Sequence, residues 1–341
     1  MKRQAHTKAW IICLGSLALA LGCTRQGERR SDKKPALIPH LAANSPATAP
    51  PIREPHVREG SAPVQLMADA SSPYIAGLAV EPDAIYLFTE RLAYRIVPGA
   101  SPQSIPIDGG AGAAVNRTDI IYWSKGAIWK IPKIGGTARR IAALPHQPQF
   151  FMTAGDDLAW LDMPARDQFV IQTLDGRGVR TLLHHDGRIE TAAMDAGRVY
   201  FVRREESSSW RIGSVSVRSG EIRYASAKSG PTPAKLAVDG DVFYYDLDSN
   251  EIRRLSADLS REEALTNALT CSPIAVGARI YCPNMEGLYD LPRQPGAKGT
   301  RVFAEPRRIA AVAANSNLLV WLADAGPDRL SLMMLPLVRD E

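Results

Sequence analysis

The chain has 341 residues, of which 45% are hydrophobic and 23% charged, and its formal net charge is +5. The excess positive charge lies near the N-terminus, because residues 61–341 carry 31 basic and 32 acidic side chains. This balance gives no indication of a basic nucleic-acid-binding face on the main part of the chain, so no nucleic-acid partner is expected.

Residues 1–22 have the pattern of a secretory signal peptide. Lys2, Arg3 and Lys8 precede the weakly polar to apolar run 9–22, which has 14 residues and is too short to span a bilayer as a helix. The end of this run, Ala20-Leu21-Gly22-Cys23, resembles the lipobox of bacterial lipoproteins. In that family the cysteine receives the lipid and becomes the mature N-terminus, which implies a lipid-anchored protein of the cell envelope.

Two residues near the proposed cleavage site bear on this resemblance. Ala20 stands where the family favours Leu, so a signal for soluble secretion remains an alternative, as does an uncleaved anchor or a buried helix. Thr24 stands where enterobacterial lipoproteins retained in the inner membrane have Asp, so the resemblance favours the outer membrane.

Residues 23–60 are predicted to be a disordered tether that begins at the lipidated Cys23. Residues 24–60 contain six prolines and almost no aromatic or β-branched residues. Such a composition cannot bury enough apolar surface to offset the entropy lost on folding.

Residues 61–341 contain seven repeated units, each of about 40 residues. In every unit a small or apolar segment and a turn precede a β-branched and aromatic segment, which is typical of a hairpin. The second segments begin 36 to 43 residues apart, at Ile85, Ile121, Leu158, Val199, Val242, Ile280 and Leu319. Four strands in about 40 residues form a propeller blade, so we predict an all-β, seven-bladed β-propeller with four-stranded antiparallel blades.

The composition of the first segments and the end of the chain support closure into a ring. Alanine is a poor strand residue, yet it recurs in the first segments, where small side chains fit around a central axis. The last unit has three strands only, and an extra segment, Val64-Gln65-Leu66-Met67, precedes the first unit. We expect this segment to complete the last blade and so to remove two free strand edges.

The second unit carries the clearest family resemblance. The residues that carry it are Ile121-Tyr122-Trp123-Ser124, followed by Gly126, Ile128, Lys130, Ile131, Pro132, Gly135 and Gly136. They resemble the YWTD-type repeat of low-density-lipoprotein-receptor propellers. They also look like exported bacterial propellers built from similar units. The resemblance implies the propeller fold. Ser124-Lys125 stand where the family has Thr-Asp. The resemblance therefore does not imply the hydrogen bonds that join neighbouring blades in that family.

No recognised catalytic, phosphate-binding or metal-binding motif occurs in the sequence. The nearest candidates are His184-His185-Asp186, whose adjacent side chains point to opposite sides of an extended chain, and Asp246–Asn250, which lacks the Gly and distal Glu of an EF-hand loop. We therefore predict no metal and no cofactor. The favoured function is non-catalytic binding or scaffolding with a protein or glycan partner, and the alternative is an enzyme acting on an envelope polysaccharide or small substrate.

The binding face is predicted at the end of the propeller where the loops after the second and fourth strands emerge. The longest polar insertion, Arg203–Trp210, lies there, with Trp210 as a candidate aromatic anchor. The opposite end carries tight turns and is expected to offer little contact area. The candidate face residues are His146, His184, His185, Arg203, Arg204, Trp210, Asn284, Arg307 and Arg308.

Cys271 and Cys282 are the cysteines that follow Cys23, and export would place them in an oxidising compartment. With a two-residue turn at Gly277-Ala278, Cys282 faces Pro273 and Cys271 lies two residues beyond direct register. A disulfide is favoured if the preceding loop folds back, while two buried free thiols and a metal site remain the alternatives.

Overall fold

The computed structural model describes residues 55–58, 61–71, 75–107, 112–165, 168–175, 178–205, 208–267, 271, 274–277, 279–284, 286–305, 307–326 and 329–339. The predicted signal peptide, Cys23 and residues 24–54 of the predicted tether lie outside the described residues. Within the described part, no helix is long and apolar enough to cross a membrane.

Seven antiparallel sheets form the blades, and the first three follow chain order. They contain β3–β6 (Ile75–Val80, Ile85–Thr89, Leu92–Ile96, Gln103–Pro106), β7–β10 (Ala113–Val115, Asp119–Ser124, Ala127–Pro132, Arg139–Ala143) and β11–β14 (Phe150–Ala154, Asp157–Ala165, Gln168–Asp175, Gly178–Asp186).

Blades four to six follow the same order. They contain β15–β18 (Ile189–Asp195, Arg198–Arg204, Ser209–Ser216, Ile222–Tyr224) with the short β19 (Lys228–Ser229), then β20–β23 (Leu236–Asp239, Asp241–Asp246, Glu251–Leu255, Glu262–Asn267) and β24–β27 (Ile274–Val276, Arg279–Asn284, Gly287–Pro292, Thr300–Phe303). The predicted seven-bladed β-propeller is therefore confirmed.

The last blade joins the two ends of the propeller. Its strands β28 (Ile309–Ala314), β29 (Leu318–Gly326) and β30 (Arg329–Arg339) are completed by β2 (Val64–Ser71), which pairs with β30. The strand predicted at Val64–Met67 thus closes the ring. The end of β30 also pairs with β1 (Pro55–Val57), so strand pairing begins within the segment assigned to the tether.

The second strand of each blade is buried on both faces, because it packs between two neighbouring blades. In β4, Ile85 lies in a cluster with Val320 of blade seven, whereas the next residue, Tyr86, lies in a cluster with Tyr122 of blade two. Alternate side chains along the strand therefore face opposite neighbours. This explains why the second segments read as continuous apolar runs rather than as alternating patterns.

Hydrogen bonds join neighbouring blades at the end that carries the turns between first and second strands, which we call the tight-turn end. The Gly240 amide donates to Asp195 Oδ2 at 2.8 Å, and Asn315 Nδ2 donates to the Glu81 carbonyl at 2.8 Å. Arg293 Nη1 donates to the Asp239 carbonyl at 3.1 Å. These bonds fix adjacent blades through their turns, independently of the side-chain core.

Candidate functional site

The opposite end, which we call the loop end, carries a cavity of about 590 Å³ between blades three and four. Its described lining comes from the end of β14 with the turn that follows it, and from the end of β16 together with Glu205 and Ser209. This cavity, the arginine pocket, brings together three residues of the predicted face. Its lining residues are His185, Asp186, Gly187, Arg188, Arg203, Arg204, Glu205 and Ser209.

Backbone contacts hold the rim of the arginine pocket in place. The Arg204 amide donates to the Arg188 carbonyl at 2.8 Å, and the Glu205 amide donates to the Ser209 carbonyl at 2.8 Å. Gly187 closes the turn after β14 with a φ of +124°, a conformation that side chains rarely adopt. The charged side chains therefore project from a well-defined scaffold.

An outer pair of arginines reaches solvent and shares one carboxylate. Arg188 Nε lies 3.0 Å from Glu190 Oε2, and Arg204 Nε lies 3.2 Å from Glu190 Oε1. The arginine side chains are 65% and 51% exposed, whereas that of Glu190 is 12% exposed. The guanidinium groups are thus available to a ligand, whereas the single carboxylate that they share is largely buried.

An inner pair of arginines shares a second carboxylate. Arg203 Nη2 lies 2.6 Å from Glu205 Oε1, and Arg211 Nη2 donates to Glu205 Oε2 at 2.9 Å. The hydrogen bond from Arg203 lowers the pKa of Glu205, as does Arg211, while burial opposes the change. The Arg203 guanidinium also lies over the Tyr224 ring, 4.4 Å from its centroid. This cation–π contact and the ion pairs restrict Arg203.

His185 is the partly buried titratable group of the pocket. Burial lowers its pKa, the charge of Arg203 lowers it further, and the Arg204 backbone partly opposes both effects. Because this lowers a pKa that is ordinarily near 6.5, the imidazole is uncharged at neutral pH. Its Nε2 is buried and has no hydrogen-bond partner among the described residues.

The neighbouring His184 lies on the other side of β14. It is exposed, and its Nδ1 lies 3.9 Å from Asp186 Oδ1. The alternation of side chains along the strand separates it from His185, as expected. Among the described residues, no three His, Cys, Asp or Glu side chains are grouped so that they could hold a metal ion.

The prediction that Trp210 is an exposed anchor is wrong. Its side chain is 1% exposed and makes an edge contact with Tyr244 of blade five, with ring centroids 5.9 Å apart. The reason is local: β17 begins at Ser209, so Trp210 is the second residue of a strand and points between two blades. The serine run before it had indicated a loop.

The other predicted face residues lie outside the arginine pocket. His146 and Arg308 are exposed in loops that follow fourth strands. Asn284 Oδ1 accepts a hydrogen bond from the Glu286 amide at 2.8 Å and so shapes its own turn. Arg307 donates to both oxygens of Glu305, at 2.8 and 3.0 Å, so its guanidinium is used to hold a buried carboxylate.

Three residues of the charged cluster were missed at the sequence level: Arg188, Glu190 and Arg211. Arg188 and Glu190 flank Ile189, which pairs with Arg203 across β15 and β16. Arg211 pairs with the same Arg203 across β16 and β17. The register between strands brings these charges together, and the spacing of the residues in the chain does not show it.

The candidate cation loop, residues 246–250, has protein partners for its oxygen atoms. Asp246 Oδ2 lies 3.2 Å from Arg253 Nε and 3.6 Å from Lys228 Nζ. Asn250 Oδ1 accepts a hydrogen bond from the Tyr245 hydroxyl. These oxygens stabilise the turn of blade five and its ion pairs, one of which reaches Lys228 of blade four.

The sulfur atoms of Cys271 and Cys282 are bonded in the structure, with their Cα atoms 5.5 Å apart. Val276 pairs with Arg279, which is the register expected for the turn between β24 and β25. The bond links the segment before blade six to the buried second strand of that blade.

The tight-turn end also carries a cavity, whereas its tight turns had been expected to offer little contact area. Its volume is about 840 Å³, and its charged lining contains three arginines and three aspartates: Arg117, Arg198, Arg218, Asp156, Asp157 and Asp195. The charges balance, and the carboxylate of Asp195 accepts the hydrogen bond that joins two blades. This cavity is therefore less suited to select a charged ligand than the arginine pocket.

No protein-family model matches the chain, and no curated protein matches it. Solved structures do share its fold. A streptogramin B lyase is 12% identical and has a TM-score of 0.57 over 81% of this chain and 97% of its own. The RRP9 WD40 repeats are 10% identical, with a TM-score of 0.61 over 84% and 100% of the chains, and a chain of a mitotic checkpoint complex is 13% identical, with a TM-score of 0.61 over 90% and 99%.

These likenesses show the β-propeller fold alone. The identities are low, and the three proteins differ in function, as is common for this architecture. The function must therefore be inferred from the residues of this chain.

Proposed function

We propose that the chain is a non-catalytic, lipid-anchored binding or scaffolding protein of the bacterial cell envelope. It engages a protein or glycan partner through the loop end of its propeller. The observation that carries this proposal is the arginine pocket, in which His185, Arg203 and Arg204 line one solvent-open cavity with a fixed backbone rim.

The carboxylate of Glu205 is poorly suited to act as a general acid. A general acid needs a carboxyl pKa raised towards neutrality, whereas Arg203 and Arg211 lower the pKa of Glu205. Paired arginines on a rigid rim are instead suited to hold a ligand through charge-assisted hydrogen bonds. The enzymatic alternative requires that a substrate be turned over at this pocket.

Replacing both outer arginines tests the binding face. With a photo-crosslinking residue in place of the exposed Asp186, which lines the pocket, the Arg188→Ala/Arg204→Ala variant should capture about tenfold less partner in intact cells. The loss of two charged contacts costs at least about 1.4 kcal/mol of binding free energy. Capture is measured by quantifying the crosslinked species. The variant should melt a few degrees lower, because the largely buried Glu190 loses both of its ion-pair partners, so capture is compared at a temperature at which all proteins are folded.

Arg139→Ala/Arg140→Ala is the matched control. These two arginines are exposed on the outer strand of blade two and lie outside the pocket. Capture that is equal in all three proteins would assign the interaction to another face.

The lipid anchor is proposed from the residues that lead to Cys23. A basic start, the 14-residue run 9–22 and the small Gly22 support export and lipidation. Thr24 in place of Asp supports the outer membrane, on the resemblance to enterobacterial lipoproteins. Residues 24–54 would then act as part of the tether between the lipid and the propeller.

Cys23→Ser should release the protein from membranes into the soluble envelope fraction or the medium. The physical reason is that lipidation provides most of the membrane affinity, at about 0.8 kcal/mol for each buried methylene group. Fractionation and the intact mass of the wild-type protein measure this. Membrane association of the variant, together with a wild-type mass that lacks lipid, would contradict the anchor.

We also propose that the seven units are related to YWTD-type repeats. The support is confined to blade two, where Ile121, Tyr122 and Trp123 lie in β8. Trp123 Nε1 donates to the Leu144 carbonyl at 2.9 Å, which ties the second strand to the segment that leaves the blade.

A further inference from the structure

We propose that the arginine pocket recognises carboxylate groups on an acidic segment of a protein partner. This inference rests on the proposed binding function and adds the chemical class of the ligand. Its basis is the way in which four guanidinium groups share the carboxylates of Glu190 and Glu205.

The first argument is the balance of hydrogen-bonding groups. Four arginines carry about twenty N–H donors, whereas two carboxylates offer about eight acceptor sites. The lining residue Asp186 adds a third negative charge, and the uncharged His185 adds no positive charge. Among the described residues, the cluster therefore keeps an excess of one positive charge and a larger excess of donors, which an external carboxylate can use.

The second argument is geometric. Each carboxylate of the cluster lies between two guanidinium groups at hydrogen-bonding distance: Glu190 between the outer pair, and Glu205 between the inner pair. The side-chain spacing thus already suits carboxylates, which the planar guanidinium binds in a fork-like manner. Glu190 occupies the outer arginines in the free protein and competes with a ligand carboxylate for them.

The third argument separates an acidic peptide from an acidic sugar. Pockets for ring-shaped ligands commonly offer an aromatic or apolar surface. The described residues that line the arginine pocket include no Phe, Tyr or Trp. Trp210 is buried, and Tyr224, although 36% exposed, lies outside the lining, with Arg203 at 4.4 Å from its ring centroid. The lining offers charges and backbone without an available aromatic face, which fits acidic side chains better than a sugar ring.

Titration calorimetry at low ionic strength tests this inference with three probes: an oligo-glutamate peptide, polygalacturonate and inorganic phosphate. Low salt is needed because ion pairs at exposed side chains are screened. The peptide should bind to the wild-type protein. Binding should weaken about tenfold in Arg188→Ala/Arg204→Ala, a change of 1.4 kcal/mol, and stay unchanged in Arg139→Ala/Arg140→Ala.

Glu190→Gln is the decisive variant. It removes the internal competitor and keeps the size of the side chain, so peptide binding should strengthen by a factor of about three or more. A structural role for the cluster alone would leave binding unchanged or weaken it. Arg204→Lys, which keeps the charge and removes the fork, should weaken binding and provides a second readout if Glu190→Gln folds poorly.

The remaining outcomes separate this inference from the proposed function. Tighter binding of polygalacturonate than of the peptide would assign the pocket to an acidic glycan, and binding of phosphate alone would assign it to small anions. Either result overturns the acidic-peptide inference while pocket-dependent crosslinking still supports the binding function. Loss of both the titration signal and the pocket dependence of crosslinking would overturn both.

Discussion

A protein that begins at residue 72 should melt about 10 °C below one that begins at residue 55. The shorter protein lacks β1 and β2 and therefore exposes the outer edge of β30 in the blade that closes the ring. Leu66 and Met67 of β2 pack on the cluster that contains Leu332 and Met334. Loss of these contacts and of the strand hydrogen bonds should cost about 3–5 kcal/mol, which corresponds to roughly 10 °C in a domain of this size.

A third protein, beginning at residue 61, separates the two N-terminal strands. It lacks only β1, which contributes three paired residues, and should melt within a few degrees of the longest protein. The three transitions are compared by circular dichroism under the same conditions. Equal melting temperatures for the proteins that begin at residues 55 and 72 would contradict closure of the ring by β2.

Much of the propeller could be predicted because its strands have distinct environments. The second strands lie between two blades, so runs such as Ile85–Phe88 must be apolar on both faces. The first strands lie near the axis and favour alanine, as in Ala113-Ala114-Val115. The closing strand was predictable because the last unit contained three strands, and an unpaired edge would otherwise remain.

Features that depend on pairing between distant residues were less accessible. Pro55–Val57 is three residues long and follows a proline-rich stretch, so its pairing with the end of β30 has no local signal. Trp210 follows a run of serines that suggests a loop, but the start of β17 at Ser209 directs its ring into the interface with blade five. Composition describes the polarity of a segment, whereas strand register decides which side chains are covered.

In the candidate site, too, some residues could be predicted from the sequence and others could not. Arg203, Arg204 and His185 were found because loops at one end of the axis were known to converge. Their partners Arg188 and Glu190 were missed because they flank Ile189, and their proximity arises from its pairing with Arg203. The charge balance of the pocket, on which the ligand class depends, therefore required the structure.

Gly287→Ala should be the most destabilising single substitution among those considered. Gly287 begins β26 with a φ of +138°, which side chains rarely adopt. A Cβ added there would lie 2.1 Å from the Phe303 carbonyl oxygen and 3.0 Å from the Glu305 amide nitrogen. Both neighbours are backbone atoms, so the clash can be relieved only if the start of β26 and the end of β27 move apart. The expected loss is about 4 kcal/mol or more of unfolding free energy.

The consequence should extend to the ion pair that follows β27. Glu305 is 1% exposed and accepts hydrogen bonds from Arg307 and from Trp321 Nε1, the latter at 3.3 Å. Displacement of the Glu305 backbone would weaken these contacts and leave a buried carboxylate with poorer partners, which adds to the cost. The Trp321 fluorescence of the folded variant should therefore change as well.

Gly178→Ala is the matched control, because Gly178 begins β14 and pairs with Asp175 across a hairpin turn, as Gly287 pairs with Asn284. Its φ is +124°, but an added Cβ would meet no atom within 4 Å, so only the backbone preference is lost, at about 1–3 kcal/mol. Denaturant unfolding of both variants measures the difference. If the two substitutions cost the same, the cause is backbone conformation alone, and the close approach of the Phe303 carbonyl to Gly287 does not govern the stability of blade six.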